Sequence, residues 1–249
     1  MIQAPLSADD GLPIEDEVRV VSRTLATASP DEVLRWGIQR FGSALALCTS
    51  FQAEGMVLLD MAVRLDRDVR VFTIDTGRLP EETYALMERV RERYGIAVGV
   101  YYPDGEEVSR YVSREGVNAF YRSAPLRLRC CDLRKTRPLQ RALSGLEAWV
   151  TGLRRDQAET RTEIPTVQID PRRPGLVKLN PLARWHERDV WEYIRRHEVP
   201  YNTLYDRGFR SIGCAPCTRA CAPGEDARAG RWWWEENVPK ECGIHWGPR

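Results

Sequence analysis

Apolar and polar positions alternate along the chain in blocks that read first as helices and then as a repeating strand–helix order. Glu15 to Ala26 carries a helical period and precedes Ser29-Pro30-Asp31-Glu32. That tetrapeptide supplies an N-cap serine, a proline at the first helical position and a glutamate at the third, a capping box that opens a helix ending near Gly42. From there Ala44 to Cys48, Val69 to Ile74 and Ile96 to Tyr101 are short apolar runs. Between them, Glu54 to Arg64 and Pro80 to Tyr94 keep the helical period. This βαβαβ order predicts an α/β fold with a parallel sheet. A charged stretch follows, then a helix over Pro138 to Leu146 and a further buried strand over Glu147 to Val150. Past Gln157 the pattern turns irregular, with a turn at Asp170 to Gly175, a short strand at Leu176 to Leu179 and a helix near Glu187 to His197.

Ligands of parallel sheets bind beyond the carboxyl ends of the strands. The segments there are Thr49 to Glu54, Asp75 to Arg78 and Thr151 to Arg155, all polar or glycine-bearing, as a nucleotide cleft requires. The domain reading is a loose arm over residues 1–14, an α/β body over 15–219 and a tail over 220–249. Its 249 residues, 43% hydrophobic, suffice for one large core. No internal repeat is visible.

Charge narrows the function classes. Thirty-seven basic against thirty-six acidic residues leave a net charge of +1. No global field therefore favours nucleic acid or an anionic membrane, and any anion must be held by a local cluster. The first seventeen residues lack a positive region followed by an apolar one, and no stretch approaches the roughly 18 apolar residues of a membrane span. The expectation is a cytoplasmic protein with no membrane or nucleic-acid partner, in which seven cysteines are reduced thiols, metal ligands or catalytic groups.

Cys130-Cys131 and Cys214-x-x-Cys217 provide four thiols that suit zinc or an iron–sulfur cluster. Adjacent cysteines do not readily reach two vertices of one zinc tetrahedron and fit the wider-spaced irons of a cubane better. Four unrelated buried thiols are the bland alternative. Cys242 lies seven residues from the C-terminus in Lys240-Glu241-Cys242-Gly243-Ile244-His245. A flexible, cation-flanked setting favours the nucleophilic thiolate; an incidental surface thiol is the contrast, and His245 either assists it or is an ordinary surface histidine. Basic residues cluster at Arg134, Lys135 and Arg137, at Arg154, Arg155 and Arg161, and at Arg228 and Arg231. Arginine forks suit phosphate or sulfate, although any one of these side chains could equally belong to a solvated face. No GxxxxGK[ST] loop occurs, which disfavours triphosphate hydrolysis of that type. Trp232-Trp233-Trp234 could pack the tail, stack on a base or dock a partner, packing being the default. Cys48 reads as core, and Cys221 has no partner at a recognised spacing.

Taken in order, Ser50 to Glu54, Asp75 to Arg78, Cys130-Cys131 with Arg134-Lys135, Trp149 to Gln157, Gly213 to Arg219 and Glu241 to His245 resemble the assimilatory adenylyl-sulfate (APS) reductases of bacteria and plants. The match runs from about residue 44 to residue 246. It implies a fold of the adenine-nucleotide α-hydrolase type and a 4Fe–4S cluster on Cys130, Cys131, Cys214 and Cys217. It implies reduction of APS to sulfite and AMP through a thiosulfonate on Cys242, released by thioredoxin or a similar dithiol, and with it a C-terminal tail mobile beyond about Arg219 that closes over substrate and then exposes the thiosulfonate. By the same resemblance Lys135 and His245 join Cys242 as catalytic residues. Arg161, Arg228 and Arg231 clamp phosphate and sulfate, while Ser50, Ile74, Gly77 and Gly152 meet the rest of the substrate. The chain departs from related synthetases in lacking the full SGGxDS loop and carries the additional thiol Cys221. Reduction of the 3′-phosphorylated nucleotide (PAPS) is the nearest rival, and a non-enzymatic metal module binding nucleic acid is a remote one. The sequence leaves the oligomeric state open, a homo-oligomer included.

Overall fold

The computed structural model of the chain describes residues 13–158 and 161–235. Eight helices are described: α1 (Ile14–Thr24), α2 (Pro30–Phe41), α3 (Ala53–Leu65), α4 (Glu81–Tyr94), α5 (Gly105–Glu115), α6 (Ala124–Cys131), α7 (Arg137–Leu143) and α8 (Glu187–Arg196). Six strands, β1 (Leu45–Cys48), β2 (Arg70–Ile74), β3 (Val98–Tyr101), β4 (Ala148–Val150), β5 (Val167–Ile169) and β6 (Val177–Leu179), form one sheet in the order β3-β2-β1-β4-β6-β5.

Alternation within β1 divides the core. Leu45 and Leu47 point to a large cluster with Val33 and Leu34 of α2, Met56 to Leu59 of α3 and Val190 and Ile194 of α8. Ala46 points the other way, to Leu139, Ala142 and Leu143 of α7 with Phe72 and Trp149. Both faces of the sheet are thus covered by helices, as parallel strands require. The capping box of α2 is present, with the Ser29 hydroxyl accepting from the Glu32 amide and the Glu32 carboxylate from the Ser29 amide at 2.7 Å. The predicted parallel sheet is present, with one further strand at its edge. All pairings are parallel except β5 with β6, which are antiparallel. The turn at Asp170 to Gly175 is too short for a crossover and returns the chain beside its own strand.

The charged stretch around the cysteine pair is more regular than its sequence suggests. It folds as α5 and α6, and Cys130-Cys131 closes α6. Asp132–Thr136 then forms a π-helical turn before α7. Beyond Arg219 the described chain stays packed: Cys221 donates its amide to Gly208, Trp232 donates to Cys217, and Arg231 and Trp232 are buried. The described part of the expected tail is thus packed against the body as far as Glu235. The predicted arm falls almost wholly outside the described residues, as does the tail from residue 236. Among the described residues no helix is long and apolar enough to cross a membrane.

Candidate active site

β1 pairs with β2 on one side and β4 on the other, and each of those pairs leads to further strands running outward. Where strand order diverges in this way, the loops leaving the carboxyl ends part and open a crevice. A cleft of about 430 Å³ lies there, walled by Thr49, Ser50 and Gln52 after β1, Ile74 and Thr76 at the end of β2, and Thr151 and Gly152 after β4.

Local requirements explain these loops. A Cβ on Gly152 would stand 2.9 Å from Cβ of Glu54, so only glycine lets the β4 loop approach the start of α3 so closely. Gln52 spans the cleft edge, its carbonyl accepting from the Ile212 amide at 2.9 Å. Glu54 is the acceptor of a buried network, with Arg154 Nε at 3.0 Å and Gln157 Nε2 at 2.9 Å on the same oxygen. Gln157 in turn accepts from Arg161 and from the Arg154 amide. Arg161 is thereby oriented toward the cleft by a neutral amide. Arg228 and Arg231 face the same cleft, Arg231 only 4% exposed and in contact with the Ser211 hydroxyl.

Next to the cleft is a much smaller cavity of about 20 Å³, lined by Cys130, Cys131, Cys214 and Cys217 together with Phe120, Arg127, Arg134 and Trp232. The two pairs come from separate parts of the chain, α6 near the middle of the body and the short helix Ala215–Cys217 near its end. The Ala215 amide donates to the Arg78 carbonyl at 2.8 Å, and the Thr76 hydroxyl meets Cys214 Sγ at 3.2 Å. Burial pushes the Cys130 thiol up and drives Cys217 to about 12. Burial also opposes ionisation of Cys214, but Lys135, the Thr76 hydroxyl and Arg231 outweigh it and hold that thiol below its usual value. Lys135 alone among the described residues lines both cavities. The π turn bearing it is the kind of helix irregularity that recurs where a side chain must be re-aimed.

The structure thus brings together Ser50, Ile74, Gly152, Arg161, Arg228, Arg231 and Lys135 at the cleft and gathers the four cysteines beside it. Gly77 stands apart from the cleft wall, in the turn after β2 with φ 68°, next to Arg134. Cys242 and His245 lie outside the described residues. Sequence reasoning did not single out Glu54, Gln157 or Thr76 within their motifs. Nor did it notice Arg127, whose setting inside α6 carries no local signal.

Residues 44–220 match the phosphoadenosine phosphosulfate reductase domain family. Over 202 residues the chain is 52% identical to an adenosine 5′-phosphosulfate reductase of Allochromatium vinosum, covering 81% of this chain and 78% of that protein. A second enzyme of that name, from Pseudomonas aeruginosa, is 44% identical over 250 residues, covering 98% and 90% of the two chains. Among solved structures, a phosphoadenylyl-sulfate reductase from Candida auris in complex with phosphate superposes with a TM-score of 0.70 at 32% identity, covering 82% of this chain and 97% of that one.

Proposed function

The chain belongs to the adenosine 5′-phosphosulfate reductases of the phosphoadenosine phosphosulfate reductase domain family, and on that premise we propose that it reduces APS to sulfite and AMP in sulfate assimilation. The observation that carries the reading is the pairing of two cavities: a strand-end cleft walled by arginines and, sharing Lys135 with it, a second cavity lined by four thiols. The fold is the nucleotide-binding α/β type in which the adenosine would lie along the ends of β1, β2 and β4. Arg161, Arg228 and Arg231 would hold the phosphate and sulfate oxygens.

Sulfate oxygens repel an incoming thiolate, so cations directed at them lower the barrier by stabilising charge as it develops. In the first step Cys242 Sγ would attack the sulfate sulfur; an S–S bond forms, the S–O bond to the phosphate breaks, and AMP leaves with that electron pair. In the second, an external dithiol of the thioredoxin kind attacks Cys242 Sγ, expels sulfite and closes its own disulfide, so the two electrons come from the dithiol.

The donor set fits a 4Fe–4S cluster on Cys130, Cys131, Cys214 and Cys217. Four thiols, those of Cys214 and Cys217 buried and those of Cys130 and Cys131 half-buried, share one cavity with the side chains of Arg127, Arg134 and Lys135. The indole Nε1 of Trp232, buried against the same cavity, has no hydrogen-bond partner among the described residues. That orphaned donor is satisfied when a group with sulfur acceptors is held there. When bound, such a cluster supplies a fixed field beside Lys135 and ties the two cysteine pairs together.

The test is anaerobic purification with iron analysis and ³⁵S-APS labelling. The expected result is about four irons per chain and label on Cys242, abolished in Cys242→Ser with iron retained. Colourless, iron-free protein sinks the cluster, label surviving in Cys242→Ser moves the nucleophile elsewhere, and a higher kcat/KM for PAPS than for APS overturns the substrate.

A further inference from the structure

One buried ion pair takes no part in the steps above. Arg127, in the middle of α6, donates from Nε and Nη2 to the two carboxylate oxygens of Glu235, each at 2.8 Å. The side chains are 3% and 7% exposed, so the pair is removed from water on both sides. Arg127 also engages the Cys131 thiol, and its guanidinium carbon stands 4.6 Å over the ring of Trp232. Arg231 stacks on that same ring at 4.8 Å. Trp232 donates its amide to Cys217, adopts φ 43°, and accepts from the Glu235 amide at 2.9 Å. A bulky residue in the left-handed region is strained and persists only where its surroundings over-determine it.

Such a pair is poor value as a stabiliser, because apolar side chains of the same volume would hold a core equally well. What a two-oxygen, two-nitrogen fork does supply is register: it fixes both the separation and the orientation of its partners. Here one partner sits beside a cysteine of the thiol cavity and the other is followed, seven residues on, by Cys242. Seven residues span at most about 25 Å, so the point at which Glu235 is pinned bounds the positions Cys242 can reach. A tether anchored close to its target raises the effective concentration of whatever it carries.

We propose that Arg127 and Glu235 are positioning residues for the sulfur-transfer step: their buried pair anchors the root of the segment that carries Cys242 against the thiol cavity. The inference rests on the reading of Cys242 as the nucleophile. It assigns the pair a kinetic role separable from nucleotide binding, which is done by strand-end residues, and from cluster retention, which is done by the four cysteines.

The experiment uses full-length, anaerobically purified protein with its cluster, as wild type, Glu235→Gln and Arg127→Lys. Three quantities are measured for each: iron per chain, AMP affinity, and the single-turnover rate at which ³⁵S from labelled APS appears on the protein. Both variants are expected to keep iron and AMP affinity while the transfer rate falls by about ten- to a hundredfold, the cost of misplacing a reacting group by about an ångström. Unchanged transfer rates overturn the positioning role, as does a fall in iron or AMP affinity that accounts for the loss in both variants. Wild-type protein that takes no label on Cys242 overturns the nucleophile reading and this role with it, whereas label in the wild type at rates the variants match overturns this role alone.

Discussion

The cleft and the thiol cavity lie side by side yet differ in size and in how they treat charge. The cleft, about 430 Å³, is open to the solvent, and its arginines are oriented by amide and carboxylate oxygens, as Arg161 is by Gln157 and Arg154 by Glu54. The cavity, about 20 Å³, is walled by Phe120, Trp232, sulfur and the cations Arg127, Arg134 and Lys135; there burial pushes the Cys130 and Cys217 thiols up, while Lys135, the Thr76 hydroxyl and Arg231 hold Cys214 below its usual value. In a wet site a cation is partly screened and serves to bind; in a dry one the same charge sets which neighbour is ionised. Lys135, shared by both, is the side chain through which one environment can act on the other.

The largest expected effect separates the two regions outright. Cys217→Ala should leave protein without iron while AMP affinity, read by calorimetry, stays within a factor of about two, since Cys217 lines the thiol cavity and not the cleft; loss of nucleotide binding would make the regions one unit. Next is the shared residue. Lys135→Met keeps the stem and removes the charge, and should lower kcat/KM for APS roughly a hundredfold with iron retained. A smaller effect is expected within the cleft. Arg161→Gln should raise KM for APS by about tenfold, the worth of a charged hydrogen bond, with iron and visible absorbance unaltered.

The smallest concerns Cys48, at the end of β1, where burial holds the thiol at about 12 despite Lys178 and Arg173. An exposed thiol titrates near pH 8.5, so above that pH the unfolded chain releases a proton that the native state keeps. The contribution to stability is complete below about pH 8.5 and is lost as pH rises toward 12. Cys48→Ala should therefore narrow the fall in denaturation midpoint between pH 8 and pH 10; an unchanged fall would mean that other groups carry it.

Particular elements explain what could be read in advance. α2 was legible because its capping box, proline and terminal glycine are local devices whose meaning does not depend on the rest of the chain. The βαβαβ order was legible because strands buried on both faces read as short apolar runs. α5 and α6 were not, because their polar faces hide the helical period within a charged stretch, and neither was the antiparallel β5, whose three residues offer too short a pattern. Among the site residues, the cysteine pairs and the arginine groups stood out by type and spacing. Gly77 shared a motif with Thr76, yet Thr76 is the one whose side chain meets a cysteine.

The sequence by itself determined the α/β order, the strand-end loops and the two cysteine pairs, because each is written in neighbouring residues through period, capping and spacing. Only the tertiary structure decided that the pairs line one cavity, that Lys135 lines that cavity and the cleft at once, and that Arg127 meets Glu235 across more than a hundred residues of chain. Such meetings depend on how β1, β2 and β4 are ordered in the sheet and on where α6 packs. That is settled by the burial of whole faces and leaves no mark in the local sequence of the residues it joins.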